Sequence, residues 1–371
     1  MNIKTRNQVQ VKVPGKLYLA GEYAVVKPLQ AALIFAVDAF IEITARFSNK
    51  NEIYDSVSNT GYEWYIDQNK SICIKDDSDK NLELTAEAIT VSLNYISEKY
   101  SIDLSNLHFS IKIESDLENT EGKKYGYGSS GAATVAACQA ILKLFHIDDE
   151  LSHKEFSILA YKLSAIAQTR LKKLGSFGDL ATSSLGGLIL YQNFEREILD
   201  TNVIFNLENL SNLVDSEWSG LVLEQLKLPK DWQISIMWSK KISSTEALLK
   251  HKAEPIEAEI EKNFYESSKE QIEAIRNAIE NSNWESFKEN IEDNFSNIKN
   301  YLSLQNRPYL VDDFVQAEKI AREHGACFKV SGAGAGDCAI AISKNKTLAA
   351  KLSTAWEKAG LTVLKHKIWN Y

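Results

Sequence analysis

The sequence has little with which to build metal or disulfide sites. Its four cysteines (Cys73, Cys138, Cys327, Cys338) form no Cys-x-x-Cys pair, and its six histidines are scattered. A structural zinc site is therefore not expected, and free thiols in a reducing compartment fit best. Basic residues are in the minority, 42 Lys and Arg against 50 Asp and Glu, for a net charge of -8. That balance argues against general affinity for nucleic acid, although an acidic surface still permits local basic pockets for an anionic substrate. No apolar run approaches the ~18–20 residues of a membrane span. The opening stretch MNIKTRNQVQVKV is polar and lacks the apolar core of a signal peptide, so a cytoplasmic location is expected. No repeat or low-complexity linker breaks the chain. What remains is an ordinary globular mix, 44% apolar and 25% charged, over 371 residues. That length holds two domains or one large one, and the change in character near residues 195–230 is the expected boundary.

Periodicity supplies the elements. Val9, Val11 and Val13 alternate with polar neighbours as a half-buried strand, which Pro14 and Gly15 should stop. Residues 30–47 read as a long strand or strand pair, 62–66 and 71–75 as a hairpin, and 108–115 as another strand. Helical spacing covers 82–99, 130–146 and 153–173, and strand character returns after Leu185. Residues 200–231 look irregular and acidic. A strand follows at 232–238, then a helix beginning in SSTEALLKHKAE. Residues 263–303 read as a charged, solvated helical hairpin broken near Asn281 and Ser282. The tail runs helix, strand, Gly-rich turn, strand, helix, strand.

Four glycine-bearing segments carry the chemistry. In KYGYGSSGAATVA, Gly126, Gly128 and Gly131 stand directly before a helix. A helix start leaves amide donors unpaired, and glycine lets a ligand approach the backbone, so the two together make an anion cradle. Ser129 and Ser130 add hydroxyls, and Lys123 and Lys124 add charge. The plainer alternative is a serine N-cap behind a tight loop. A Walker A loop fails on spacing, because Gly15-Lys16 is followed by Leu17 and Gly122-Lys123 by Lys124. Gly126-x-Gly128-x-x-Gly131 matches a dinucleotide-binding string. Helix continues, however, where that motif needs a second strand ending in an acidic residue. VPGKLYLAGEYAVV places Lys16 after the strand. LGSFGDLATSSLGG offers Ser176 and Asp179 between glycines, and KVSGAGAGDCAIAI is a second flexible loop between strands. Arg196, in YQNFER, reads as a solvated arginine, with a phosphate contact as the alternative.

In this order the four segments, with WSKKISSTEAL, resemble the GHMP kinase superfamily from about residue 9 to 368, and in detail its phosphomevalonate kinases. Gly21-Glu22-Tyr23 matches the phosphomevalonate kinase habit, where mevalonate kinases usually carry Gly-Glu-His. The resemblance implies an α+β fold of two lobes with the active-site cleft between them, an ATP-binding lobe over 1–200 and a second lobe over 201–371. It implies ATP-dependent phosphoryl transfer to 5-phosphomevalonate with magnesium, giving diphosphomevalonate for isoprenoid synthesis. Another small-molecule kinase of the same fold, mevalonate kinase first, or a non-catalytic relative are the alternatives. No nucleic-acid or membrane partner is implied, and a monomer is the working expectation.

Carried over residue by residue, Lys124, Gly126, Gly128, Ser129, Ser130 and Gly131 take the ATP phosphates, with Ser130 on magnesium. Lys16 and Asp179 stand beside the reacting groups. Lys16, Tyr18, Ser176, Ser244, Thr245, Ser331, Gly332 and Ala333 hold the phosphorylated acid. The chain departs from the family pattern at Tyr127 (usually leucine), Gly131 (alanine), Val330 (serine), Ala335 (glycine), and Lys240 and Lys241 (Gly-Ser).

Overall fold

The computed structural model describes residues 5–75, 82–119, 121–173, 175–199, 202–241 and 254–370. An eight-stranded sheet is centred on β2 (Ala31–Phe47), one continuous strand. β1 (Gln8–Ala20) pairs antiparallel along β2. β2 also pairs with β7 (Leu188–Gln192) over Ala31–Phe35 and with β6 (Phe109–Ser115) over Ile41–Phe47. β3 (Glu52–Asp55), β4 (Thr60–Ile66) and β5 (Ile72–Ile74) extend the β6 end. β8 (Val222–Leu226) extends β7, although its residues lie beyond the expected lobe division at 200. A second sheet runs in the order β10 (Cys327–Ser331), β11 (Cys338–Ser343), β9 (Gln233–Trp238), β12 (Thr362–Leu364), all antiparallel.

β1 does not stop at Pro14. It continues to Ala20 with register shifts at Pro14/Gly15 and after Tyr18. As an edge strand it can accommodate proline, which has no N–H to offer a further neighbour. Past the shift, the Lys16 N–H is instead satisfied by the Tyr127 carbonyl at 2.8 Å. The described part of the stretch expected to be irregular, residues 202–231, likewise holds more order than its composition suggests. α5 (Asn202–Asn206) and α6 (Leu210–Asp215) precede β8, with Ile204, Leu210 and Val214 buried.

α1 (Glu83–Tyr100), α2 (Ser129–Leu144), α3 (His153–Arg170) and α4 (Gly178–Leu185) pack together, with α2 and α4 against β1 and β2. The expectation of a solvated hairpin over 263–303 is corrected. α7 (Ala258–Glu280) and α8 (Trp284–Leu304) are charged outside, but each has a buried stripe. Ile272, Ile275, Phe287 and Ile291 join the core of the first sheet. Phe264, Phe295, Ile298 and Leu302 join the core of the second. Each large side chain buried this way contributes ~1.5–3 kcal/mol, so the hairpin staples the two sheets together. α9 (Asp312–Glu323) and α10 (Lys346–Lys358) complete the cover of the second sheet.

Candidate active site

The two sheets meet where β1 passes the end of β10. The Tyr18 N–H donates to Ser331 Oγ at 2.8 Å. Glu22, in the turn after β1, forms an ion pair with Lys329 of β10, with both side chains buried. Its same oxygen accepts the Gly332 N–H at 3.2 Å. The Tyr23 hydroxyl donates to the Ala333 carbonyl at 2.5 Å. Three successive residues, Ser331 to Ala333, are thereby bolted to the first sheet. Burial pushes the Lys329 amine down, and Glu22 pulls it back up.

Two cavities open on either side of this junction. The smaller, about 330 Å3, is framed by Lys124, the loop from Gly126 to Gly131, and Ser331–Ala333. Its geometry follows from Gly128, the N-cap of α2 with φ +73°, which has no side chain to occupy the amides of the first helical turn. The alternative of a serine N-cap is thus set aside, since Ser129 and Ser130 are the first helical residues. α2 runs to Leu144 and leads into α3 through a short 3-10 turn, with no second strand, so the dinucleotide alternative falls too. Gly128 is needed for closeness as well as for its φ, because a Cβ there would stand 3.0 Å from Lys16 Cε.

The larger cavity, about 430 Å3, is lined by Tyr18, Glu22, Tyr23, Ser176, Tyr265 and Arg307 among others. Lys16, Asp179, Gly332 and Ala333 line both cavities. Lys16 and Tyr18 are two apart on a strand, so they face one side, and the Lys16 ammonium lies 5.1 Å from the Tyr18 ring centre. Asp179 is delivered by the turn into α4, where Phe177 takes φ +58°. Burial raises the Asp179 carboxyl above its ordinary value. Lys16 opposes this, as do the amides of Leu180 and Asp179 itself at the start of α4. The Tyr18 hydroxyl is pushed well up, chiefly by burial, and shares a hydrogen bond with Ser176 Oγ at 2.9 Å.

The structure therefore brings together Lys16, Tyr18, Lys124, the Gly126–Gly131 loop, Ser176, Asp179 and Ser331–Ala333 around two adjoining cavities. Ser244 and Thr245 lie outside the described residues. Arg196 is neither freely solvated nor in either cavity. It lies 4.2 Å over the Phe177 ring and donates to the Gly175 carbonyl at 2.6 Å, bracing the turn that presents Ser176 and Asp179. One departure from the family pattern gains a reason, since a Cβ on Gly131 would meet the Asp179 carboxylate. Another does too, since Tyr127 is buried and bonded through its hydroxyl to His366 Nδ1 at 2.8 Å.

Sequence reasoning passed over several lining residues. Glu22, Tyr23 and Asp337 sat inside quoted motifs without an assigned role. Tyr265, Tyr301, Gln305 and Arg307 had no local signal, because the hairpin and the segment just after it bring them in from about 250 to 290 residues beyond Lys16.

The oxygen donors at the smaller cavity, the Ser130 hydroxyl and the Asp179 carboxylate, are the hard type that magnesium takes together with nucleotide phosphates. The uncapped first turn of α2 and Lys124 suit a polyphosphate, while the hydroxyls of Tyr18 and Ser176 beside Lys16 suit a second polar ligand.

Comparison with known proteins shows the family. The family model of the GHMP kinases N terminal domain matches residues 87–187, and that of the GHMP kinases C terminal domain matches residues 271–361. Lin0012 protein from Listeria innocua shares the fold with a TM-score of 0.85 at 30% identity, covering 97% of both chains. Phosphomevalonate kinase of Streptococcus pneumoniae, solved in complex with phosphomevalonate and AMPPNP, gives a TM-score of 0.81 at 27% identity, over 97% of this chain and 99% of that one. Phosphomevalonate kinase of Streptomyces sp. (strain CL190) is 27% identical over 95% of this chain and 94% of its own. Matched by both family models and sharing its fold with a solved structure at 30% identity over nearly its whole length, the chain belongs to the GHMP kinases.

Proposed function

We propose that the protein transfers the γ-phosphoryl group of ATP to (R)-5-phosphomevalonate, giving 5-diphosphomevalonate and ADP. The observation that carries this reading is the shared wall. Lys16 and Asp179 border both an amide-rich cavity suited to a polyphosphate and a hydroxyl-lined cavity suited to a phosphorylated acid. Relatives named phosphomevalonate kinase at 24% and 27% identity over nearly the whole chain support the choice of acceptor.

Phosphoryl transfer passes through a loose transition state, so positioning and charge neutralisation dominate. In this reading the first turn of α2 and Lys124 bind the ATP phosphates, and Ser130 with Asp179 would hold magnesium. When bound, magnesium supplies positive charge against the phosphate oxygens. Tyr18, Ser176 and the Ser331–Ala333 loop hold the acceptor, joined by Ser244 and Thr245 in the proposed assignment. Lys16 lies between two polyanions and offsets their repulsion. The acceptor phosphate carries about -1.5 to -2 charge at neutral pH, so little proton remains to be removed. Asp179 then orients the acceptor oxygen and takes whatever proton is left, as a carboxylate poised by burial against Lys16. The two-lobed division, with each lobe built on its own sheet and the cleft between them, and a cytoplasmic location belong to the same proposal.

The test is ADP release by the purified protein with phosphomevalonate, with mevalonate and with no acceptor. Release with phosphomevalonate alone supports the reading. Release with mevalonate alone replaces it with mevalonate kinase, and no release with either points to a non-catalytic relative.

A further inference from the structure

The loop that frames the smaller cavity hangs on one buried side chain. Gly126 and Gly128 take φ +85° and +73°, and their freedom must be restrained if the amides ahead of α2 are to stand ready for a ligand. Tyr127, between them, is 1% exposed. Its backbone is set against β1. Its carbonyl accepts the Lys16 N–H at 2.8 Å, and a Cβ on Gly15 would stand 2.8 Å from Tyr127 Cβ. Its ring centre lies 5.5 Å from that of Tyr125 and 5.3 Å from that of His366, edge-on to the imidazole. Its hydroxyl is bonded to His366 Nδ1 at 2.8 Å. Burial pushes the phenol well up, so it keeps its proton. Burial also pulls the imidazole down, against the opposing charges of Asp38 and Asp116. A neutral imidazole has one nitrogen that accepts, and a protonated phenol donates to it.

His366 comes from outside the loop. β12 leaves the edge of the second sheet at Leu364, and the chain then crosses to the first. There the Lys367 N–H donates to Asp38 Oδ1 at 2.7 Å, and the Lys367 carbonyl accepts the Asp38 N–H at 3.0 Å. Ile368 bridges Val37. The Trp369 N–H donates to the Ala36 carbonyl at 3.0 Å, and the Trp369 carbonyl accepts the Gly187 N–H at 2.8 Å. Residues 367–369 are thus laid along β2, and half-buried His366 stands at the crossing, between a strand of one sheet and a strand of the other. Tyr125 extends the contact, its ring centre 5.0 Å from that of Trp238 in β9 and 5.8 Å from that of His366. The loop's anchor is therefore carried by a segment secured on both sheets.

We propose that His366 is a positioning residue for the nucleotide site. Through the Tyr127 hydroxyl it holds the Gly126–Gly131 loop in the geometry that receives a polyphosphate. This rests on the placement of the ATP phosphates at α2 in the functional reading above. Apparent affinity scales with the fraction of molecules in the competent geometry, so a loop that kept it about a tenth of the time would bind about tenfold more weakly.

The experiment measures binding of magnesium AMPPNP by calorimetry, beside a thermal melt, in the wild type, Tyr127→Phe, His366→Phe, the double variant and His366→Asn. Each single phenylalanine variant should weaken binding about tenfold, and the double variant no further, because both remove the same bond. His366→Asn, which returns a polar atom near the place of Nδ1, should recover part of the loss. A bond that only stabilises the fold would lower the melting temperature and leave affinity within about twofold of wild type, and that result overturns the proposal. Losses that multiply in the double variant overturn it too. Should His366→Phe fail to fold, Tyr127→Phe and His366→Asn decide the same question. If the wild type itself binds no nucleotide, the functional reading has failed, and the anchor is read by hydrogen exchange of the amides over residues 126–132. Exchange about tenfold faster in Tyr127→Phe supports the hold on the loop, and unchanged exchange overturns it.

Discussion

Gly131→Ala separates fold from chemistry at one atom. The position is helical with ordinary φ, so alanine fits the backbone, and relief of the glycine penalty stabilises a helix interior by up to ~1 kcal/mol. The added Cβ would meet Asp179 Oδ2 most closely, and would stand 2.9 Å from Asp179 Cγ and 3.3 Å from Asp179 Cβ. Non-bonded contacts relax at ~3.5 Å, so the carboxyl must withdraw by roughly 1 Å. Its obstacle is the free end of a side chain, and an off-rotamer adjustment costs only ~0.5–1.5 kcal/mol. The two terms nearly cancel, so the melting temperature should stay within about 4 °C of wild type. The reacting geometry has no such compensation. A displacement approaching an ångström at a catalytic group costs on the order of 100-fold, and kcat with phosphomevalonate is expected to fall by about 10- to 100-fold while KM for ATP stays near its original value. Steady-state kinetics beside a thermal melt decides the matter. A kcat within about twofold of wild type would refute the contact between α2 and Asp179 as the reason for glycine here.

Asp179→Asn should lose turnover far more than acceptor affinity, because a group that acts on the transition state contributes little to ground-state binding. Weakened acceptor binding with kcat preserved would contradict the role. Lys124→Ala should chiefly raise KM for ATP, and an unchanged value counts against the placement of the nucleotide. For pH, the ionised Asp179 is the working form. In the enzyme free of magnesium and nucleotide, burial raises its pKa and Lys16 lowers it, so kcat/KM for the magnesium nucleotide, which reports the free enzyme, should fall on the acid side at a higher pH than an ordinary carboxylate gives. Removing the ammonium in Lys16→Met removes a positive charge that favours ionisation, so the limb of the residual activity should move further up. Lys16→Arg should leave it in place. An acid limb unmoved by Lys16→Met would show that the two groups are not coupled.

Much of the site was legible because its chemistry is written locally. Glycines before a helix, paired serines and a lysine after a strand each act through their own few residues. Alternation and helical spacing recovered most elements for the same reason. Pro14 misled, since a proline breaks a strand only where its missing N–H is needed, and whether β1 is an edge strand is not local information. The hairpin over 263–303 misled in a related way. Its charge density hid a narrow buried stripe that matters because two sheets stand on either side of it. Arg196 looked solvated because nothing nearby in sequence announces the ring of Phe177 beneath it.

The sequence alone determined the glycine-rich loops, the order of the segments that resemble a kinase family, and the residue types that the proposed transfer would use. The tertiary structure decided that Lys16 and Asp179 share a wall between two cavities. It also decided that Glu22 and Lys329 neutralise each other across the junction, and that Arg307 arrives at the wall of the larger cavity. Those facts depend on chain segments up to about 300 residues apart meeting in space, and no local propensity carries that distance.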